Sequence, residues 1–139
     1  MVRRGGWKKV ENSQWRGRFD LGRAFLLSAD ETLARAVDGQ IGDPIMSNAL
    51  LAAIAYADAL TIKFGGILNQ QDHARLIAAL QSALGNRASK EQLNRLGRLL
   101  KMKNQIQYDH TVCTIQDARE YVGQVRRFAS WAETELARP

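Results

Sequence analysis

Apolar positions recur three and four residues apart through most of this chain, the spacing that lines one face of an α-helix. The longest regular run is Ile115, Ala118, Val122, Val125, Ala129, Ala132 and Leu136, widened by Phe128 and Trp131. It predicts a long helix packed at a shallow angle in a bundle, opening at Thr114 with Asp117 three residues on. A second run from Ile45 to Phe64 opens at Asp43-Pro44, a capping residue followed by a proline suited to the first helical position. It closes at Gly65-Gly66, and its many alanines permit a neighbouring helix to come close. Three further helices are expected. One runs from Ser13 or Asp20 to Val37 and is closed by Gly39. One starts between Asn69 and Asp72 and ends at Gly85. One starts at Ser89, with Gln92 in the capping-box position, and carries Leu93, Leu96 and Leu100 on one face.

Runs of β-branched residues are absent, proline is scarce, and alanine and leucine are frequent, so no strand is expected. The expected fold is all-α: an antiparallel up-and-down bundle of four to five helices spanning residues 13–139 as one domain. Residues 1–12 are expected to be a flexible basic tail, because Gly5-Gly6 and clustered charges cannot build a core. A chain of 139 residues with 45% hydrophobic content fits a single core.

Composition narrows the function classes. Cys113 is the lone cysteine, which excludes an internal disulfide framework and suits a reducing compartment. One cysteine and two distant histidines do not make a metal site, and nothing calls for a cofactor. The longest apolar stretch, Ala49 to Ala57, is interrupted by Asp58 and is too short to span a membrane. The basic N-terminus lacks the apolar core of a signal peptide. The expected location is the cytoplasm, with no membrane partner.

The net charge of +6 is segregated. Residues 1–18 hold six basic side chains against Glu11, with Trp7 and Trp15 interleaved, and residues 85–105 hold six against Glu91. Such patches suit a polyanion, and aromatics beside cations are one means of holding single strands. Arg95, Arg98 and Lys101 fall on the face away from the leucine stripe and make a basic ridge. Gly97 weakens that helix by about 1 kcal/mol relative to alanine, which points to close packing of another helix there.

Continuing the leucine stripe brings it to Lys103 and Asn104, where leucine would be expected. A lysine so placed needs an anionic partner or an opening to water. Asp58, on the small-residue surface of the alanine-rich helix, is one candidate partner. Tyr108, Asp109 and His110 follow closely, so a cation, an amide, a phenol, a carboxylate and an imidazole cluster together. His73, in the first turn of its helix, lacks such a constellation and reads as a packing or surface residue.

The stretch Leu99 to Asp109, Leu-Leu-Lys-Met-Lys-Asn-Gln-Ile-Gln-Tyr-Asp, resembles the signature end of HEPN domains. In those small helical bundles a basic and a polar residue precede a His or Tyr near the end of a late helix. Ala53 to Leu80 is similar to the family's central helical pair, and the likeness extends from about Phe19 onward. The resemblance implies two kinds of activity. Active members are metal-independent endoribonucleases that pair an Arg and a His across a symmetric dimer. Others are binding modules, often partnered with small nucleotidyltransferases in toxin–antitoxin pairs. Here Lys103 stands in the Arg position and cannot make the planar bidentate contact. Tyr108 stands where the His is often found, and with an ordinary pKa near 10 it is a poor base. The expectation is therefore a non-catalytic homodimeric module of a toxin–antitoxin or defence-type system. Lys103, Asn104, Tyr108, Asp109 and the ridge Arg95, Arg98 and Lys101 would bind RNA, a nucleotide or a nucleotidyltransferase-type partner. The alternative is a ribonuclease toxin using Lys103 and His110 as its catalytic pair.

Overall fold

A computed structural model of the chain describes residues 6–70 and 72–139. Four helical stretches follow the sequence signals closely: α1 (Trp15–Arg35), α2 (Asp43–Gly65), α3 (Ala74–Leu84) and α4 (Lys90–Lys101). The short α5 (Lys103–Tyr108) and the long α6 (Ile115–Leu136) complete an all-α bundle.

The start and stop signals act through hydrogen bonds. Ser89 Oγ accepts the Gln92 N–H at 3.3 Å at the head of α4. Thr114 and Asp117 close a full capping box on α6, with bonds of 3.0 and 2.9 Å. Gly66 ends α2 with a φ of 62°, a left-handed conformation that glycine adopts without steric cost. Asp43 differs from its expected role. It lies inside the first turn of α2, and its Oδ1 accepts the Cys113 N–H at 2.7 Å. Beside it, the Gly42 N–H donates to Cys113 O at 2.9 Å, so the starts of α2 and α6 are held together by two bonds.

Helix α2 is the axis of the molecule. It packs chiefly on α1 and α6, and also on α3. Phe19 meets Tyr56 edge-on while Ser28 reaches Asn48, so α1 and α2 run antiparallel. Asp43 lies beside Cys113 and Lys63 beside Leu136, so α2 and α6 run the same way. Arg95 reaches Gln124 and Leu99 reaches Tyr121, so α4 lies antiparallel to α6. The small side chains of α2 explain its central position. Ala49, Ala52, Ala53, Ala57 and Ala59 are wholly buried, and Gly22 of α1 sits on the Tyr56 ring at 3.0 Å from where a Cβ would be. By length and composition α2, with a mean hydropathy of 1.5, suffices to cross a membrane, although the Ala49–Ala57 stretch alone does not. Of its most apolar window, 78% is buried inside the bundle, as in a core helix.

The described part of the expected tail, residues 6–12, is folded. Trp7–Lys9 forms β1, which pairs antiparallel with β2 (Ile67–Asn69), Lys8 opposite Leu68. Residues 1–5 lie outside the described residues. The ribbon forms because its backbone finds partners beyond the sequence window: Val10 N–H bonds Gly66 O, and the Asn12 amide donates to Ile62 O and Lys63 O at the end of α2. Both lie in the last turn of α2, and Ile62 O also accepts the Gly66 N–H at 2.9 Å. Neither β1 nor β2 shows period-two patterning longer than three residues, so sequence periodicity did not predict them.

Among the described residues, a Cβ built on Gly97 or Gly123 would meet nothing within 4 Å, so neither glycine serves close packing between them.

Candidate functional site

The leucine face of α4 is buried at Leu93, Leu96 and Leu99, and the chain then tightens at Met102, whose N–H bonds Leu99 O at 3.2 Å. This separates α5 from α4. Ile106 turns into the core, and Lys103, one step before it, stays half-exposed. The lysine on the apolar stripe is thus accommodated by an opening to water. Asp58 is not its partner. The Asp58 carboxyl is 6% exposed, burial pushes it up to about 7, and the opposing cation is Arg18 of α1. Lys103 instead lies within electrostatic reach of His73 at the head of α3. Burial lowers the imidazole's pKa, the nearby ammonium lowers it further, and Asp72 opposes them.

The remaining members of the late cluster are spread along an exposed edge. Asn104 is exposed, and its backbone oxygen accepts the Asp109 N–H at 3.0 Å. Tyr108 is 73% exposed. His110 is almost fully exposed, with Nδ1 3.3 Å from Asp109 Oδ1, and the same carboxylate oxygen accepts the Thr111 N–H. His110 is thus held by Asp109, while the Lys103 ammonium disfavours a charge on His73.

The basic ridge has a different fate. Arg95 and Arg98 line a groove of about 630 Å³ between α4 and α6, and Lys101 lies outside it. From α6 the groove receives Arg119 and Arg127, opposed by Asp117 and Glu120. Its floor is the buried Met46, Leu99 and Tyr121 with Met102, and Gln105 and Cys113 line it as well. The floor is fixed in place. Tyr121 Oη donates to Leu99 O at 2.8 Å, and burial pushes the phenol's pKa up. The Cys113 thiol is buried and its pKa is raised, by desolvation first and then by Asp43, Asp117 and Asp109, so it is not poised as a thiolate nucleophile. Arg95 is a clamp. Its Nε donates to Gln124 at 2.9 Å and its Nη1 to Gln92 at 2.7 Å, with Glu91 at 3.7 Å. Arg98, Arg119 and Arg127 are exposed and present their guanidinium groups at the rim. Among the described residues, no histidine lines this groove.

Arg119, Arg127 and Gln124 were not singled out by the sequence, because α6 carries so regular an apolar stripe that it reads as a core helix alone. The signal was present: Arg119, Gly123 and Arg127 are four apart and share one face, with glycine leaving room between two cations. Trp15, which the sequence places among the basic residues of the first eighteen, packs on Phe19 under Arg16 and Lys63 at the edge of the core.

Fold and groove together define an all-α bundle with an arginine-rimmed, apolar-floored cleft. No family model matches the chain, and neither a curated protein nor a solved structure is significantly similar to it. The HEPN resemblance rests on the residues quoted above.

Proposed function

We propose that this chain is a HEPN-like helical module that binds RNA or a nucleotide through the α4–α6 groove without cutting it. It would act as a homodimer in a toxin–antitoxin or defence-type system, with a nucleotidyltransferase-type protein as partner. The observation that carries the binding reading is the gathering of Arg95, Arg98, Arg119 and Arg127 on one cleft, with Asp117 and Glu120 among its lining residues and Glu91 beside Arg95. Guanidinium groups make planar, bidentate contacts with phosphate, and an apolar floor suits a base. Concave sites of roughly 300–1,000 Å³ take small ligands, and this one lies in that range. The non-catalytic reading is supported by the absence, among the described residues, of an imidazole lining the groove and by the lysine standing in the Arg position at Lys103.

The test is fluorescence anisotropy of labelled oligonucleotides over a salt series. Three phosphate contacts, from Arg98, Arg119 and Arg127, give a log–log salt slope of about −2 on a single strand. Arg119→Glu combined with Arg127→Glu should lower affinity by roughly two orders of magnitude at low salt. Both side chains are exposed, so the melting temperature should hold. Unchanged binding by the double variant would remove the groove from the reading. RNA cleavage without added metal, lost in His110→Ala, would replace the reading with a ribonuclease using Lys103 and His110.

A further inference from the structure

The α4–α6 groove draws on one of the two basic segments of the sequence. The other, residues 1–18, borders a separate cavity of about 1000 Å³ between α1, the β1–β2 ribbon and the end of α2. Its ribbon side is apolar at Ile67 and Leu68 and carries the exposed Lys8 and Lys9. Its α1 side is formed by Gly17 and Leu21, four residues apart on one face, with Arg18 beside them. Three features of this α1 wall have no purpose within the fold. Leu21 is 39% exposed, so the core leaves much of its apolar surface uncovered. Gly17 weakens the helix it sits in, and a Cβ there would meet nothing within 4 Å, so no packing contact calls for glycine. Its effect is to leave space beside Arg18. Arg18 is half-buried, and among the described residues it makes no hydrogen bond and no salt bridge; its charge reaches Asp58 only at longer range. A guanidinium presents its donors in a planar fork that matches a carboxylate, and the fold leaves that fork unused.

We propose that this cavity binds a small organic carboxylate with a hydrocarbon body, the carboxylate on the Arg18 fork and the hydrocarbon on Leu21, Ile67 and Leu68. The charged lining residues are Lys8, Lys9 and Arg18 against Glu11, so the balance favours an anion. One half-buried guanidinium suits a single charged head, and the apolar surface beside it favours hydrocarbon over a sugar. Binding would cover Leu21, and removal of that apolar surface from water supplies the part of the affinity that charge alone does not. The site shares no lining residue with the α4–α6 groove, so it stands or falls apart from the nucleic-acid reading.

The experiment is isothermal titration of the full chain with three probes: octanoate, octanol and acetate. Octanoate should bind at a single saturable site. Octanol and acetate should each bind at least about tenfold more weakly, because one lacks the charged head and the other the hydrocarbon. Arg18→Gln should weaken octanoate by roughly tenfold or more and leave octanol binding as in the parent. Gly17→Leu puts a side chain into the open space and should weaken octanoate and octanol alike. Leucine is the better helix former, so this variant should melt no lower than the parent and keeps the test valid if Arg18→Gln folds poorly. Octanoate bound equally well by the parent and by both variants, or octanol bound as tightly as octanoate, overturns the proposal. Failure of the parent to bind octanoate overturns it as well.

Discussion

Asp58→Asn should stabilise the protein at pH 8 by on the order of 3 kcal/mol, and the gain should vanish in acid. Asp58 sits on the central helix with 6% of its surface exposed. Its backbone oxygen takes the Thr61 hydroxyl, and Arg18 is the cation that acts on the carboxyl. Desolvation outweighs Arg18, so the folded-state pKa stands at about 7 against an ordinary 3.8. Between these values the folded protein keeps a proton that the unfolded chain has released. Stability therefore falls as pH rises from about 4 to about 7, and above 7 the full cost of the buried charge is present. Asparagine carries no charge at any pH and is nearly isosteric. Urea denaturation of parent and variant at pH 4.0, 6.0 and 8.0 checks the claim. The two midpoints should converge at the lowest pH and separate progressively above it. A constant separation across the series would show that Asp58 is not the group titrating.

Gly42→Ala should destabilise the protein by about 3 kcal/mol and lower the melting temperature by about 10 °C. The reason is contact with backbone. A Cβ at Gly42 would stand 2.1 Å from Thr114 O and 2.9 Å from Thr114 C, in a segment that cannot swing aside as a side-chain tip can. Relief requires moving Thr114 away from α2. That movement disturbs the Gly42 to Cys113 bond and the bond from Cys113 N–H to Asp43, and it strains the capping box of α6. By contrast Gly97→Ala, where a Cβ meets nothing within 4 Å, should be neutral or stabilising by up to about 1 kcal/mol. Thermal melts of the two variants side by side make the comparison. If Gly42→Ala melts with the parent, the clasp between the two helix starts contributes far less than its geometry implies.

How much of this was legible in the sequence depends on the range of the signal. Helix starts at Ser89 and Thr114 and the stop at Gly66 are local, set by hydrogen bonds within a turn, and the sequence shows them at once. Asp43 was read as a cap because its type and place fit. Its actual bond is to Cys113, seventy residues away, and no window reaches that far. The ribbon failed for the same reason. Three-residue strands carry no periodicity, and their pairing depends on Asn12 and Val10 meeting the end of α2. In the candidate site, Arg95 and Arg98 were visible as a ridge on α4. Arg119 and Arg127 were hidden because the opposite face of α6 is so regularly apolar. Lys103 drew attention for its position in a leucine stripe, and the structure resolves that position by a tightened turn at Met102 that leaves the lysine half-exposed.

The two-stranded ribbon bears on the order of folding. Helices α1 and α2 are consecutive and joined by a short connection, so their contacts close a small loop and can form early. Pairing of residues 7–9 with 67–69 brings together two ends of that whole hairpin. The entropy of closing so long a loop is recovered only once the hairpin has already brought the ends near each other. The ribbon is therefore expected to close after the helical pair, and amide exchange at residues 7–9 should run faster than in the buried middle of α2.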